Sequence, residues 1–200
     1  DIYFVGNTMI DALVAYDQVI AENTIMTKLD VTERAFALVT IHRPSNVDNK
    51  SALEQNIHLL QNIAIKYPVV FPVHPRTKNK LEQFQLLSLL TSNPNIRICE
   101  PLDYFAFQKL IASCKFIVTD SGGIQEEATF RKKPCITIRP NTERPSTITL
   151  GTNTLVEADI SKINQLITDI EKHNYKEGNI PPLWDGKATA RIFQVLDKLR

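Results

Sequence analysis

The stretch Phe116-Ile-Val-Thr-Asp-Ser-Gly-Gly-Ile-Gln-Glu-Glu-Ala-Thr129 decides how this chain folds. Four residues suited to a buried strand (Phe116, Ile117, Val118, Thr119) run into Asp120 and Ser121, then two glycines, then a helix-forming run. That order reads as a strand, a tight turn and a helix start. With no Cβ in the way, the glycines admit a ligand close to the backbone. The N–H groups of the first helical turn then face that ligand, and the macrodipole favours an anion. Glu126 and Glu127 are read into that first turn, where one of them is placed to accept hydrogen bonds from sugar hydroxyls beside a bound phosphate. The same residues also fit an ordinary strand-to-helix turn capped by Ser or Gly.

Working outward, 200 residues suffice to bury a core as one domain or one large lobe. A hydrophobic content of 43% and a charged content of 22% are those of an ordinary globular protein. The formal net charge of +1 gives no bulk reason to expect nucleic acid or an anionic membrane as a partner. The basic clusters Lys78-Asn-Lys80 and Arg131-Lys-Lys133 read as solvated helix ends. No apolar run approaches the length of a membrane span, and the first residues do not read as a signal peptide. Cys99, Cys114 and Cys135 lie in or beside apolar segments without paired spacing. They read as buried small hydrophobes in a reducing compartment, which places the protein in the cytoplasm. Asp1 in place of Met, and a strand that begins at Ile2 without lead-in, suggest a piece of a longer protein.

Seven strands are expected, at 2–5, 36–41, 69–73, 96–99, 116–119, 134–138 and 153–156. Helices are expected after Gly6-Asn-Thr8 and over 48–66, 81–90, 104–113, 160–172 and 187–200, besides the one after Gly123, with a connector over 22–34. Pro72 marks a place where one ladder hydrogen bond can be missed. Strands and helices alternating at short intervals predict an α/β fold with a doubly wound parallel sheet. Right-handed crossovers then gather the carboxyl ends of the strands along one edge, where open α/β sheets bind ligands. Four apolar strands end in polar, anion-suited residues: His42-Arg43, His74 with Arg76, Asp120-Ser-Gly-Gly, and Arg139 with Glu143-Arg144. Together they suit a ligand with two or more phosphates on a ribose. There is no Gly-x-x-x-x-Gly-Lys-Ser/Thr loop and no Gly-x-Gly-x-x-Gly after the first strand, so no nicotinamide or flavin cofactor is expected. His42 and His74 have no carboxylate or Cys at ligand spacing, so no metal is expected either.

The motifs Gly6-Asn-Thr-Met-Ile-Asp-Ala-Leu13, Thr40-Ile-His-Arg-Pro-Ser-Asn-Val-Asp48, Pro72-Val-His-Pro-Arg76, Asp120-Ser-Gly-Gly-Ile-Gln-Glu-Glu-Ala128, Asn141-Thr-Glu-Arg-Pro145 and Asp185-Gly-Lys-Ala188 run through the whole chain. In order and spacing they resemble the C-terminal half of the UDP-N-acetylglucosamine 2-epimerase family. The resemblance implies one Rossmann-like lobe of a glycosyltransferase-B type fold, residues 1–200 forming the UDP-binding lobe. The N-terminal lobe, with the acid/base carboxylates, would lie outside the chain, and the helix at 187–200 would pack toward it.

The family interconverts UDP-N-acetylglucosamine and UDP-N-acetylmannosamine by eliminating UDP and adding it back to the other face, without cofactor or metal; hydrolysing relatives release N-acetylmannosamine. Carried over by motif, Ser121, Gly122 and Gly123 would hold the diphosphate. Glu127 would bind the ribose, and Phe107 would lie against the uracil. His42 would be catalytic, stabilising charge as UDP leaves. Arg144 would touch diphosphate or sugar. Arg43 and His74 resemble contacts to a second substrate molecule bound by some members, although Pro44 stands where many of those carry a second Arg. The expected partners are a UDP-sugar and the missing lobe, in a homodimer when full length. Alone, these residues are expected to bind UDP weakly and to epimerise nothing. The donor-binding lobe of a UDP-sugar glycosyltransferase and a non-catalytic nucleotide-binding module are the alternatives, with His42 and the 141–145 loop favouring the epimerase.

Overall fold

The computed structural model describes residues 1–157 and 159–199. The helices α1 (Thr8–Ala15), α2 (Asp17–Glu22) and α3 (Ile25–Lys28) precede strand β1 (Ala37–Thr40). A short α4 (Pro44–Val47) and a long α5 (Lys50–Ala64) lead to β2 (Val69–Pro72), and α6 (Pro75–Gln83) with α7 (Leu87–Thr91) to β3 (Ile96–Cys99). Then come α8 (Tyr104–Ser113), β4 (Phe116–Thr119), α9 (Gly122–Phe130) and β5 (Cys135–Ile138). The chain continues through α10 (Pro145–Thr149), β6 (Asn153–Val156), α11 (Ile160–Glu171) and α12 (Ala188–Lys198).

The six strands form one parallel sheet in the order β3-β2-β1-β4-β5-β6, so the doubly wound expectation holds. The winding reverses between β1 and β4, which opens a crevice at their carboxyl ends. The period of two divides the core into two layers. Val39, Phe71, Val118 and Ile136 face α5 and α11, whereas Leu38, Val70, Ile117 and Cys135 face α8 and α9. Every residue of β1, β2, β4 and β5 is buried, which is why these strands read as continuous apolar runs. The N–H groups of Val69 and Val73 both bond to β3's side, so Pro72 turns its nitrogen toward β1. Pairing between β1 and β2 goes no further than Leu38 with Val70, although both strands continue, so the bond toward β1 that Pro72 cannot donate is the one missed, as expected.

The strand expected at 2–5 is not formed. Ile2 and Phe4 are largely exposed, and among the described residues no strand lies beside them to take their backbone groups. The helix expected over 48–66 forms as α5, two residues shorter at each end, and Asn49 caps it by accepting from Ser51 and Ala52; Pro44–Val47 is a separate short turn before it that was not foreseen. The helix expected over 81–90 is two. Pro75 at the first position and His74 as cap start α6 earlier, and Gln85, at φ 58°, ends it. The basic clusters were expected as solvated helix ends, but Lys78 lies within α6, paired with Glu100. Arg131 at the C-cap of α9 is 13% exposed and pairs with Asp17, and part-buried Lys133 donates to the Cys114 carbonyl. Burial pushes the Cys99 thiol up to about 11 and those of Cys114 and Cys135 up to about 12. Among the described residues no helix is long and apolar enough to cross a membrane.

The ends of the chain meet. Gly6 adopts φ 103° and passes so close to Leu183 that a Cβ would fall 2.3 Å from that carbonyl oxygen. Asp11 on α1 caps α12, accepting from the N–H groups of Ala188 (3.0 Å) and Thr189 (2.6 Å). Arg191 pairs with Asp185 and donates to the Val5 carbonyl. Trp184 buries itself against Ile10, Leu13 and Ile20.

Candidate functional site: the crevice between β1 and β4

Past its strand, β4 delivers Asp120 into the crevice, where it is fully buried. Asp120 gathers the loop after β1 around its carboxylate. The backbone N–H groups of His42 (2.9 Å) and Arg43 (2.8 Å) and the side-chain amide of Asn46 (2.9 Å) all donate to Oδ2. His42 Nδ1 lies 2.9 Å from Oδ1. Burial raises the Asp120 carboxyl, but the hydrogen bonds from His42, Arg43 and Asn46 together outweigh it and hold it below the usual carboxylate range. An ionised Asp120 accepts a hydrogen bond from Nδ1–H of His42, which leaves Nε2 as the uncommitted edge of a ring one-third exposed. His74 stands alongside, its ring centroid 5.2 Å from that of His42. Its Nδ1 accepts from the Arg76 N–H, so the proton of neutral His74 sits on Nε2.

Ser121 is the N-cap of α9. Its N–H is already bonded to the Thr119 hydroxyl, while its own hydroxyl makes no cap bond to the helix. The anion-facing backbone donors are therefore those of Gly122 and Gly123, which open the helix. Glu126 and Glu127 are not in the first turn as read from sequence, because the helix begins only at Gly122 and places both carboxylates in the second.

Glu126 accepts from Asn7 (3.0 Å) and lies 3.2 Å from Arg144 Nε, so it ties the start of α1 to the loop after β5. Burial raises it, against the pull of Arg144 and Asn7. Glu127, 8% exposed, is pushed up to about 7 by burial, with Gln108 and Arg131 offsetting only part of this. Gln108 neighbours Phe107, which is half-buried on α8 and packs against the layer containing Ile124 and Ala128.

The loop after β5 supplies Glu143, bonded to Arg139 (2.8 Å) and 3.6 Å from Arg43. The sequence did not single out what braces this loop. Gln125 Oε1 accepts from the Thr142 hydroxyl (2.7 Å) and from Asn153 (3.0 Å), while Asn153 Oδ1 accepts from Thr137 (2.6 Å). Asp120 was equally visible as a strand-end acid, and its organising role shows only once β1 and β4 are neighbours. Of the expected site residues, His42, Arg43, Ser121 and Gly122 meet at the mouth of the crevice, with His74 beside His42. Glu127 and Phe107 lie farther along, where α8 meets α9. Arg144 is held at Glu126. Among the described residues no three His, Cys, Asp or Glu side chains gather as a metal site would need.

A family model described as UDP-N-acetylglucosamine 2-epimerase matches residues 1–197. The UDP-N-acetylglucosamine 2-epimerase of Methanocaldococcus jannaschii is 38% identical over 202 residues, covering 98% of this chain and 54% of that protein. The crystal structure of the M. jannaschii enzyme in complex with UDP-GlcNAc and UDP superimposes with a TM-score of 0.85 at 36% identity, covering 98% of this chain and 54% of that one. The Neisseria meningitidis enzyme bound to UDP-GlcNAc gives 0.79 at 30% identity, covering 97% and 54%. The chain thus spans about half the length of the curated relatives it matches.

Proposed function

The chain belongs to the UDP-N-acetylglucosamine 2-epimerase family, and from that membership we propose that it is the UDP-sugar-binding half of an enzyme interconverting UDP-N-acetylglucosamine and UDP-N-acetylmannosamine. The observation that carries this reading is the meeting of His42, buried Asp120, Ser121 and the amino end of α9 at the point where the sheet reverses its winding. The diphosphate would sit on Gly122, Gly123 and the Ser121 hydroxyl, with Glu127 toward the ribose and Phe107 toward the uracil.

In the reaction a base removes the C2 proton, the C1–oxygen bond breaks and UDP leaves as a dianion-rich group. That elimination leaves a C1=C2 glycal, and return of UDP to C1 with a proton delivered to C2 on the face opposite to the one it lost gives the epimer. Asp120 holds the Nδ1–H of His42 and leaves Nε2 facing the departing oxygen; with a second proton on Nε2 the ring would donate there, where charge develops and a fixed donor is worth most. Arg144 serves diphosphate or sugar, and Arg43 and His74 line the approach. The C2 base belongs to the other lobe, which α12 is suited to meet: Phe193 and Leu196 are exposed on it, and Leu199 at its C-cap. The two-lobed protein would act in the cytoplasm, in keeping with three free cysteines, and as a homodimer.

The test gives UDP-N-acetylglucosamine to this chain alone and to a protein in which it is joined to the other half, with the anomeric protons followed by NMR. The joined protein should form the manno epimer. The chain alone should bind UDP weakly, shifting the Gly122 and Gly123 amides, and leave the sugar unchanged. Turnover by the chain alone would overturn this division of labour, and transfer of the sugar to an acceptor would favour a glycosyltransferase.

A further inference from the structure

A carboxylate of the chain stands beside the seat assigned to the diphosphate. A Cβ on Gly122 would fall 2.6 Å from Glu143 Oε1 and 3.6 Å from its Cδ, so the carboxylate lies over the opening turn of α9. Two guanidinium groups hold it there from either side of β4. Arg139, from the end of β5, is 2.8 Å from Oε2, and Arg43, from the end of β1, is 3.6 Å from Oε1. The Arg139 bond, with Arg43 nearby, pushes the Glu143 carboxyl down to about 2, so it is an anion throughout the neutral range. Arg139 is only 12% exposed, and its buried Nη1 has no partner. A buried guanidinium with one nitrogen unsatisfied has donors to offer beyond those that Glu143 takes.

We propose that Glu143 is a built-in competitor for the diphosphate, and that ligand binding displaces it and hands Arg139 and Arg43 to the phosphate oxygens. Arg139 thereby becomes a further diphosphate-binding residue. The inference rests on the proposed UDP seat, since it concerns who occupies that seat. Two anions cannot share one set of donors at this spacing. The exchange needs no loop opening. The backbone around Glu143 is anchored through Thr142 to Gln125, while the Glu143 side chain is itself 46% exposed and can rotate into solvent. The positive charge of the unliganded site is thus partly offset and its guanidinium groups prealigned, at the expense of affinity.

The test titrates the full 200-residue chain and its Glu143→Gln and Arg139→Gln variants with UDP and, separately, with uridine, following the Gly122 and Gly123 amides by NMR. Gln keeps the shape of Glu143 and removes its charge. UDP should bind Glu143→Gln roughly fivefold to tenfold more tightly than wild type, the range expected when one helix-terminal anion and its ion pairs are removed. Uridine, which has no phosphate to contest the seat, should bind both equally. Arg139→Gln should weaken UDP and leave uridine unchanged. UDP binding to Glu143→Gln with unchanged or lower affinity would overturn the inference. Equal tightening of UDP and uridine would do so too, because the carboxylate would then act elsewhere than at the phosphates. If UDP moves neither glycine amide in wild type, the proposed seat itself is wrong, an outcome distinct from the other two.

Discussion

An Asp120→Asn substitution keeps the size of the side chain, removes its charge and leaves one acceptor oxygen for donors from His42, Arg43 and Asn46. Breaking a buried, hydrogen-bonded charge in this way should cost about 2–4 kcal/mol, measured by urea unfolding. The folded chain holds Asp120 below its ordinary value of 3.8, so its contribution is present above that pH and is lost as pH falls through the lower folded value. Wild type should therefore lose stability more steeply than the variant below about pH 4. Glu127 has the opposite sign. Burial raises its carboxyl from 4.5 to about 7, so its contribution is present below 4.5 and is lost as pH rises through about 7. Glu127→Gln, neutral at every pH, should unfold at higher urea than wild type at pH 8, by on the order of 2–3 kcal/mol, with no such gain at pH 4. The same variant should bind UDP more weakly, as expected of a carboxylate kept for a ligand at the expense of stability.

Gly6 joins two elements by being small. Its φ of 103° and the Leu183 oxygen 2.3 Å from any Cβ leave no room for alanine, and the opposing atom is backbone, which cannot swing aside. Gly6→Ala should lower stability by about 2–4 kcal/mol and loosen α12, seen as faster hydrogen exchange at Ala188 and Thr189. The strands with a neighbour on each side could be read from their unbroken apolar runs, because burial on two faces leaves no polar alternation. The 2–5 segment has the same composition and forms no strand, since composition records propensity and says nothing of a partner. Helix starts were legible where a cap precedes an apolar stripe, as at Asn7. The start was missed at His74, where the capping residue sits inside a polar strand-end loop and reads as ligand-binding chemistry, and was read two residues early at Asn49. The Gly122 start was found, yet the position of Glu126 and Glu127 was misjudged by one turn.

At the scale of the whole molecule, the alternation of elements predicted the doubly wound sheet, and the sheet order brought the polar strand ends to one edge. The individual contacts there were out of reach of sequence. That Asp120 accepts from His42, or that Glu143 covers Gly122, depends on pairs of elements remote in the chain. The pairing of β1 with β4 has one more effect. Thr40 and Thr119, bonded at the centre of the sheet, are 79 residues apart. At 5–20 residues per second, a growing polypeptide would wait roughly 4–16 s between synthesising β1 and the strand that covers it. For that interval the flank carrying Leu38 and Val39 is a bare edge, open to strangers on or near the ribosome.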